Sequence, residues 1–136
     1  MNNSSFSISV HILTLLASAK GEVLSSDYMA GSININPVLI RKELINLRNH
    51  NLVSSKEGKN GGVYLAKPAS AIYLSDVYEA VKRSSLLGQS KNTPNPDCLI
   101  GRQISEHLNN LYSDAEKALV AELKTVTLEK FLNQFD

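Results

Sequence analysis

Apolar residues recur at helical spacing through the first half of the chain, in stretches that end at glycine or at polar turn residues. In residues 6–17 they are frequent enough to predict a largely buried first helix, which we expect to stop near Gly21. The next stretch is short, and we expect Ser25 or Ser26 to cap it and the turn at 31–32 to break it. Two helices, one long and one short, are therefore predicted to open the chain.

A third helix is predicted to begin at Asn36 and Pro37 and to run to about Asn49. An asparagine side chain caps a free backbone N–H, and proline at the first helical position loses no hydrogen bond. The face predicted to be buried carries Leu39, Ile40, Leu44, Ile45, Leu47 and Arg48. The side chains predicted to point partly outward are those of Val38, Arg41, Lys42 and Glu43.

A glycine-rich segment separates two strand-like stretches after this helix. The first strand starts at Leu52 and Val53, and the second covers residues 63–66 before Pro68 ends it. Such a loop can hold a nucleotide phosphate, but only where it leads from a strand into a helix. Because this loop joins two strands, a hairpin is favoured. The glycines that allow positive φ angles at its tip are Gly58, Gly61 and Gly62.

Beyond the hairpin the sequence predicts a short helix, a polar loop and a long helix. We expect Ser75 to cap the short helix, residues 76–83. The loop at 84–97 is rich in proline, asparagine and serine, and we expect poor order there. An amphipathic helix of about 25 residues follows, and Thr125 or Thr127 is predicted to cap a last helical turn.

The long helix carries one apolar stripe at steps of three and four residues. At a length of about 38 Å it is longer than a domain of roughly 70 residues can cover. Pairing with a second copy of the chain is the favoured explanation, and packing against the first helix is the alternative. The predicted dimerisation residues are Ile100, Ile104, Leu108, Leu111, Ala115 and Leu119.

These elements predict a mainly α fold, a winged helix-turn-helix with a small two-stranded wing and a long C-terminal dimerisation helix. The predicted divisions are a DNA-binding domain over residues 1–83, a flexible loop over 84–97, and the dimerisation helix with a C-terminal helical turn over 98–136. In such folds the second helix of the pair enters the major groove of DNA.

The charge of the chain is uneven although its formal net value is only +1. Residues 37–67 hold six basic and two acidic side chains, whereas the rest of the chain holds eight basic and eleven acidic ones. A positive surface over the third helix and hairpin suits DNA, because phosphate contacts release counterions. A mixed, solvated surface is the alternative explanation.

Several classes of protein are disfavoured by the composition. No apolar run approaches the ~20 residues of a membrane span and no secretory signal opens the chain, so we expect a cytoplasmic protein without a membrane partner. No catalytic triad, carboxylate pair or metal-ligand group stands out, which disfavours an enzyme and a metal site. The single cysteine, Cys98, excludes an intrachain disulfide.

Several stretches of the chain together resemble one family of bacterial regulators. They are residues 26–30 (SDYMA), 36–42 (NPVLIRK), 47–53 (LRNHNLV) and 61–68 (GGVYLAKP). The likeness continues through residues 72–81 (IYLSDVYEAV) and the long helix, so it covers nearly the whole chain. On these motifs the chain resembles the Rrf2 family of transcription regulators.

The resemblance implies a sequence-specific transcription regulator, most simply a repressor, that acts as a homodimer on a palindromic operator in double-stranded DNA. Two recognition helices would enter successive major grooves and the wings would reach the flanking minor grooves. Arg41 is best placed for direct readout of guanine, and a solvent-facing salt bridge is its alternative role. The DNA-binding residues implied are Ser26, Asn36, Val38, Arg41, Lys42, Lys56, Lys59, Asn60 and Gly61.

The chain departs from the family pattern in the wing and ahead of the long helix. Glu57 stands in the wing where the family usually has an arginine, which weakens the case for minor-groove readout. Members with an iron–sulfur cluster supply three cysteines ahead of the long helix, whereas this chain has only Cys98, and nearby His107 does not complete a ligand set. We therefore predict no cofactor. Cys98 is a candidate redox thiol, with packing as a small apolar residue as the alternative.

One alternative function stays open, a winged-helix module that binds protein and not DNA. Glu57 in the wing and the near-neutral total charge are compatible with it. The sequence does not indicate which effector or signal controls the protein.

Overall fold

In the computed structural model, the described residues, 4–82, 87–88 and 91–135, form six α-helices and one two-stranded hairpin. This confirms the predicted mainly α fold with a small wing. The elements in chain order are α1 (Ser4–Ser18), α2 (Ser26–Ile33), α3 (Pro37–Asn49), β1 (Val53–Lys56), β2 (Gly62–Leu65), a short 3-10 helix (Ala69–Ala71), α4 (Leu74–Val81), α5 (Leu99–Leu123) and α6 (Leu128–Leu132).

The start of α2 agrees with the sequence, but its end does not. Ser25 is the N-cap, and its side chain accepts a hydrogen bond from the backbone N–H of Tyr28 at 3.1 Å. The predicted break at residues 31–32 is wrong, because α2 continues to Ile33 and ends at Asn34. Asn34 takes a left-handed conformation, with φ at 63°, which asparagine tolerates better than most residues. A glycine inside a helix only weakens it by about 1 kcal/mol.

Glu43 on α3 lies on the opposite side of the helix from that predicted. Its carboxylate is buried and accepts hydrogen bonds from two hydroxyl groups of α1, Ser5 Oγ at 3.1 Å and Ser9 Oγ at 3.3 Å. A buried carboxylate is costly unless it is hydrogen-bonded, and these two donors meet that requirement. The prediction that Glu43 points outward is therefore wrong.

The buried face of α3 is also narrower than predicted. Ile40, Leu44 and Leu47 are in the core, whereas Leu39 and Ile45 are exposed. In a helix of 3.6 residues per turn, positions 40, 44 and 47 form one stripe and positions 39 and 45 lie outside it. Arg48, at the edge of the predicted buried face, is exposed as well.

The strands β1 and β2 and the connecting loop 57–61 form the wing, in which the strands pair antiparallel. The segment between α1 and α2 adds an isolated bridge, in which Leu24 and Val63 exchange backbone hydrogen bonds of 3.0 and 2.8 Å. This bridge attaches the base of the wing to the chain that leads into α2.

The glycines of the wing serve two different purposes. Gly58 alone takes a positive φ, of 103°, so the prediction of such angles at Gly61 and Gly62 is wrong. Gly61 and Gly62 are needed for close approach. A Cβ at position 61 would collide with the backbone oxygen of Lys56, and one at position 62 would lie 2.7 Å from that of Leu24.

The helix after the wing, α4, begins one residue before its predicted cap. Tyr73 is the N-cap, and its backbone N–H donates to the Asp76 carboxylate at 2.9 Å, while Ser75 is buried inside the first turn. Arg83 and residues 84–86 and 89–90 of the predicted loop lie outside the described residues. The division of the chain into domains stays a prediction.

The core forms where α1, α3, α4 and α6 meet the base of the wing. The last helix joins it because the Leu128 N–H donates to the Ile72 carbonyl at 2.7 Å and α6 packs on α1. This packing holds α3 and the wing in fixed positions. Within the described residues, no helix is apolar over enough length to cross a lipid bilayer. The most deeply buried apolar residues are Ile12, Leu13, Met29, Ile40, Leu47, Leu52, Val53, Ile72, Val77 and Leu128.

Candidate nucleic-acid interface

The solvent-facing side of α3 is centred on one row of side chains, which we call the outward row: Val38, Lys42, Ile45 and Asn49. Each residue turns the helix by about 100°, so this row lies opposite the buried positions 40, 43, 44 and 47. Val38 is 61% and Ile45 is 55% exposed. The helix cap fixes the first member of the row, because Asn36 Oδ1 accepts a hydrogen bond from the Val38 N–H at 2.8 Å.

The outward surface of α3 is purely cationic in its charged groups. Arg41, Lys42 and Arg48 are exposed, and the one acid of the helix, Glu43, is turned into the core. Among the described residues, ion pairs within 4.0 Å are formed only by Lys82. Arg41, Lys42 and Arg48 thus have no carboxylate partner there, and a salt bridge for Arg41, its alternative role, is not formed with any described residue.

The wing presents polar groups around its tip. Lys56, Lys59 and Asn60 are exposed, and so is Glu57. Gly61 is partly buried, and its N–H donates to the Gly58 carbonyl at 3.0 Å in the turn of the loop. The wing therefore offers two cations and an amide to a ligand, with one carboxylate between them.

Helix α2 contributes its N-terminal turn to the same region, since α2 packs on α3. Ser26 is the first residue of α2 and partly buried, and the first N–H groups of a helix are of the kind that bind anions, although the exposed carboxylate of Asp27 lies in the same turn. Tyr28, in the same turn, is exposed and was not among the predicted residues. The sequence could have indicated that Tyr28 is exposed, because it directly precedes the buried residues Met29 and Ala30 and therefore points to another side of α2.

The nine predicted DNA-binding residues lie on α2, on α3 with its cap, or on the wing. These elements are contiguous, because the Leu52 N–H donates to the Leu47 carbonyl at 3.0 Å where α3 turns into β1. Ile45 and Asn49 of the outward row were not among the predicted DNA-binding residues, because Ile45 was predicted to lie on the buried face and Asn49 only to end the helix. Contact of any of these residues with DNA stays a prediction.

The apolar stripe of α5 is open to solvent in the single chain. None of the 25 residues of this helix is buried, and Ile100 and Leu111 are strongly exposed. The other four predicted dimerisation residues, Ile104, Leu108, Ala115 and Leu119, are partly buried. The alternative of packing on the first helix is not supported, because the described part of α1 packs mainly against α2, α3, α4, α6 and β2.

A polar cluster joins α5 to α4 on another side of α5. Glu116 Oε1 accepts hydrogen bonds of 3.4 Å from the Tyr78 hydroxyl and from Lys82 Nζ. Lys82 also pairs with Glu79 at 2.9 Å. Burial raises the pKa of Tyr78 above its ordinary 10.0, and the negative charge of Glu116 raises it further. Glu116 lies about 140° of helical rotation from Leu111, so Leu111 is turned away from α4.

Cys98 stands at the start of α5 and is exposed. Its Sγ accepts a hydrogen bond from the Gly101 N–H at 3.4 Å, so the thiol acts as the helix N-cap. The alternative that Cys98 packs as a buried apolar residue is wrong for the single chain. Redox sensing by this thiol stays a prediction.

Comparison with known proteins relates this chain to transcriptional regulators. Residues 2–134 match the model of the Rrf2 family, described as an iron-dependent transcriptional regulator. Over 133 residues, 98% of each chain, the sequence is 32% identical to YwnA of Bacillus subtilis (strain 168), a candidate HTH-type transcriptional regulator.

Solved structures show the same fold. A candidate transcriptional regulator from Lactobacillus plantarum superposes with a TM-score of 0.74 at 30% identity, over 93% of this chain and 85% of that one. CymR of B. subtilis, a global cysteine regulator, superposes with a TM-score of 0.73 at 20% identity, over 100% of this chain and 98% of its own.

The residues of this chain do not fit a cysteine-ligated iron cluster. The sequence holds one cysteine, and its sulfur is engaged as the cap of α5. In the part of the chain that the structure describes, no group of three or more His, Cys, Asp or Glu side chains is arranged to hold a metal ion. The iron dependence in the family description therefore has no matching ligand set here.

Proposed function

Because this chain belongs to the Rrf2 family of transcriptional regulators, we propose that it binds a palindromic DNA operator as a homodimer and represses transcription there. Helix α3 is its recognition helix, the wing contacts the flanking DNA, and the protein acts in the cytoplasm. Regulators of this family are not enzymes, so the function consists of binding alone.

The observation that carries the proposal is the charge of α3. Its three cations point to solvent without carboxylate partners among the described residues, and its acid is buried. A surface that presents unpaired cations binds phosphates by releasing their counterions.

Homodimer formation is supported by α5. Its stripe leaves Ile100 and Leu111 strongly exposed in the single chain, and none of its other members is buried. A two-fold dimer buries the same face of both copies, so the stripe of each helix covers the apolar side chains of the other. Paired recognition helices then reach half-sites about 34 Å apart, one turn of the duplex.

Within each half-site we assign separate roles to the charged residues. Arg41 contacts guanine through O6 and N7, the bidentate pairing for which a guanidinium is suited. Lys42, Arg48, Lys56 and Lys59 neutralise phosphates and set the register of the protein on the duplex. The N-terminal turn of α2, at Ser26, approaches a further phosphate.

The salt dependence of binding tests this assignment. Four lysine or arginine contacts to phosphate from each copy predict a slope of log affinity against log salt of about −7. The measurement is fluorescence anisotropy of a labelled duplex from the region upstream of the protein's own gene, at two or more salt concentrations.

Two variants sharpen the test. Lys42→Gln removes one phosphate contact from each copy, so the slope should become shallower by about 2. Lys130→Gln removes an exposed cation of α6, outside α2, α3 and the wing, and should leave the slope unchanged. Binding without salt dependence, or no binding to any duplex at low salt, would contradict the proposal and favour a protein-binding module.

A further inference from the structure

The outward row of α3 contains two large apolar residues that the core does not use. Val38 and Ile45 remain more than half exposed, whereas the buried face of the helix is made by Ile40, Leu44 and Leu47. Single exposed apolar residues are common on protein surfaces. Val38 and Ile45 differ from such cases because they lie about two helical turns apart at the centre of the outward face. Together they form a narrow apolar strip that runs along the helix axis.

The geometry of this pair suits the floor of a groove. Seven residues of helix span about 10.5 Å along the axis, which equals about three steps of 3.4 Å between stacked base pairs where the helix runs along the duplex axis. Val38 and Ile45 are both β-branched, so few rotamers are lost when they dock. Lys42 lies between them on the same row and provides the charge that holds the helix close to phosphates.

The surroundings of the pair favour DNA over an apolar protein partner. Arg41 and Arg48 lie beside the row on one side, Lys42 is within it, and the one acid of the helix is buried. A protein partner would have to cover three unpaired cations together with the apolar pair. A DNA duplex can contact both the cations and the apolar pair, because phosphates line its major groove and one apolar group lies within the groove.

That apolar group is the 5-methyl of thymine, which the major groove exposes and which aliphatic side chains contact. We propose that Val38 and Ile45 read thymine methyl groups, so each half-site of the operator has T·A or A·T pairs at two positions about three base pairs apart. This inference rests on the proposed function and specifies the chemistry of the operator that α3 recognises.

Replacing thymine by deoxyuracil tests the proposal, since it removes the methyl and keeps base pairing, phosphates and charge. Operators are first selected with the purified full chain from a randomised duplex library. The selected duplex is then remade with deoxyuracil at one thymine at a time. Loss of one methyl contact, worth about 0.8 kcal/mol, should weaken binding about fourfold, and loss at both symmetry-related positions about 15-fold.

Two matched variants assign the effect to the outward row. Val38→Ala should abolish the thymine preference at one position of each half-site and leave the second position sensitive. Leu39→Ala is the control, since Leu39 is 46% exposed but points about 100° away from Val38. It should retain the preference at both positions.

The outcomes separate this inference from the proposed function. A selected operator that binds equally well with thymine and deoxyuracil would refute methyl readout and leave DNA binding intact. A thymine preference that survives Val38→Ala at both positions, or disappears in Leu39→Ala, would refute the assignment to the row. A selection that enriches no duplex would contradict both proposals at once.

Discussion

Replacing Leu111 by glutamate should separate the two copies of the chain while leaving each copy folded. Leu111 lies in the α5 stripe and is 59% exposed in the single chain. Because it contributes little to the core, a polar side chain is tolerated there in the monomer. In the proposed dimer the same position faces the partner's stripe, so the substitution acts on association.

The size of the effect follows from the exposed fraction. Full burial of a leucine side chain is worth about 1.5–3 kcal/mol, so covering the exposed part contributes about 1–2 kcal/mol in each copy. The two-fold axis doubles this to about 2–4 kcal/mol, which raises the dimer Kd about 30-fold to 1000-fold. Bringing two carboxylates into the interface adds a further penalty of several kcal/mol for each ion.

Sedimentation equilibrium measures the dimer Kd, and circular dichroism checks the helical fold. Leu99→Glu is the matched control, because Leu99 is 60% exposed on the same helix but lies about 120° of rotation from Leu111. The control should dimerise like the unmodified chain. A Leu111→Glu variant with an unchanged Kd, or an equal loss in both variants, would refute the stripe as the dimer interface.

Three further predictions concern the operator contact, the wing and the α4–α5 junction. Arg41→Ala should weaken operator binding by about 1–3 kcal/mol and relax preference at one base pair, and an unchanged anisotropy titration would exclude base contact. Gly61→Ala should lower Tm in thermal unfolding, because its Cβ meets the backbone oxygen of Lys56, and an equal Tm would disprove that contact. The free energy of unfolding should fall as pH rises above 10.0, because the folded state raises the pKa of Tyr78. The contribution of the neutral phenol is complete below 10.0 and is lost through the raised pKa, and urea titrations of Tyr78→Phe that keep the same pH dependence would contradict this.

The starts of α2, α3 and α6 were predictable because neighbouring side chains determine them. Asn36 and Pro37 open α3, and Thr127 caps α6 by accepting from the Lys130 N–H at 3.0 Å. These caps depend on hydrogen bonds across two or three residues, so the sequence contains both partners within one short segment. The end of α2 at Asn34 also depends on neighbouring residues, but Gly31 led to the prediction that the helix ends earlier.

The direction of side chains on α3 could not be predicted in the same way, because partners far along the chain decide it. Glu43 is buried since Ser5 and Ser9, on α1, donate to its carboxylate. Helix α3 also contains more apolar residues than fit on its buried face. The spacing of apolar residues therefore did not show whether Ile45 is buried or exposed. Both errors concern the candidate interface, where exposure of apolar groups and burial of an acid suit binding more than solubility.

The stoichiometry of the protein on DNA shows whether the chain binds its operator as a homodimer. Sedimentation velocity of the full chain with an operator duplex at low salt measures the mass of the complex. We expect two chains on each duplex, in a complex that dissociates as salt is raised. One chain for each duplex, or sedimentation of protein and DNA as separate species, would contradict it.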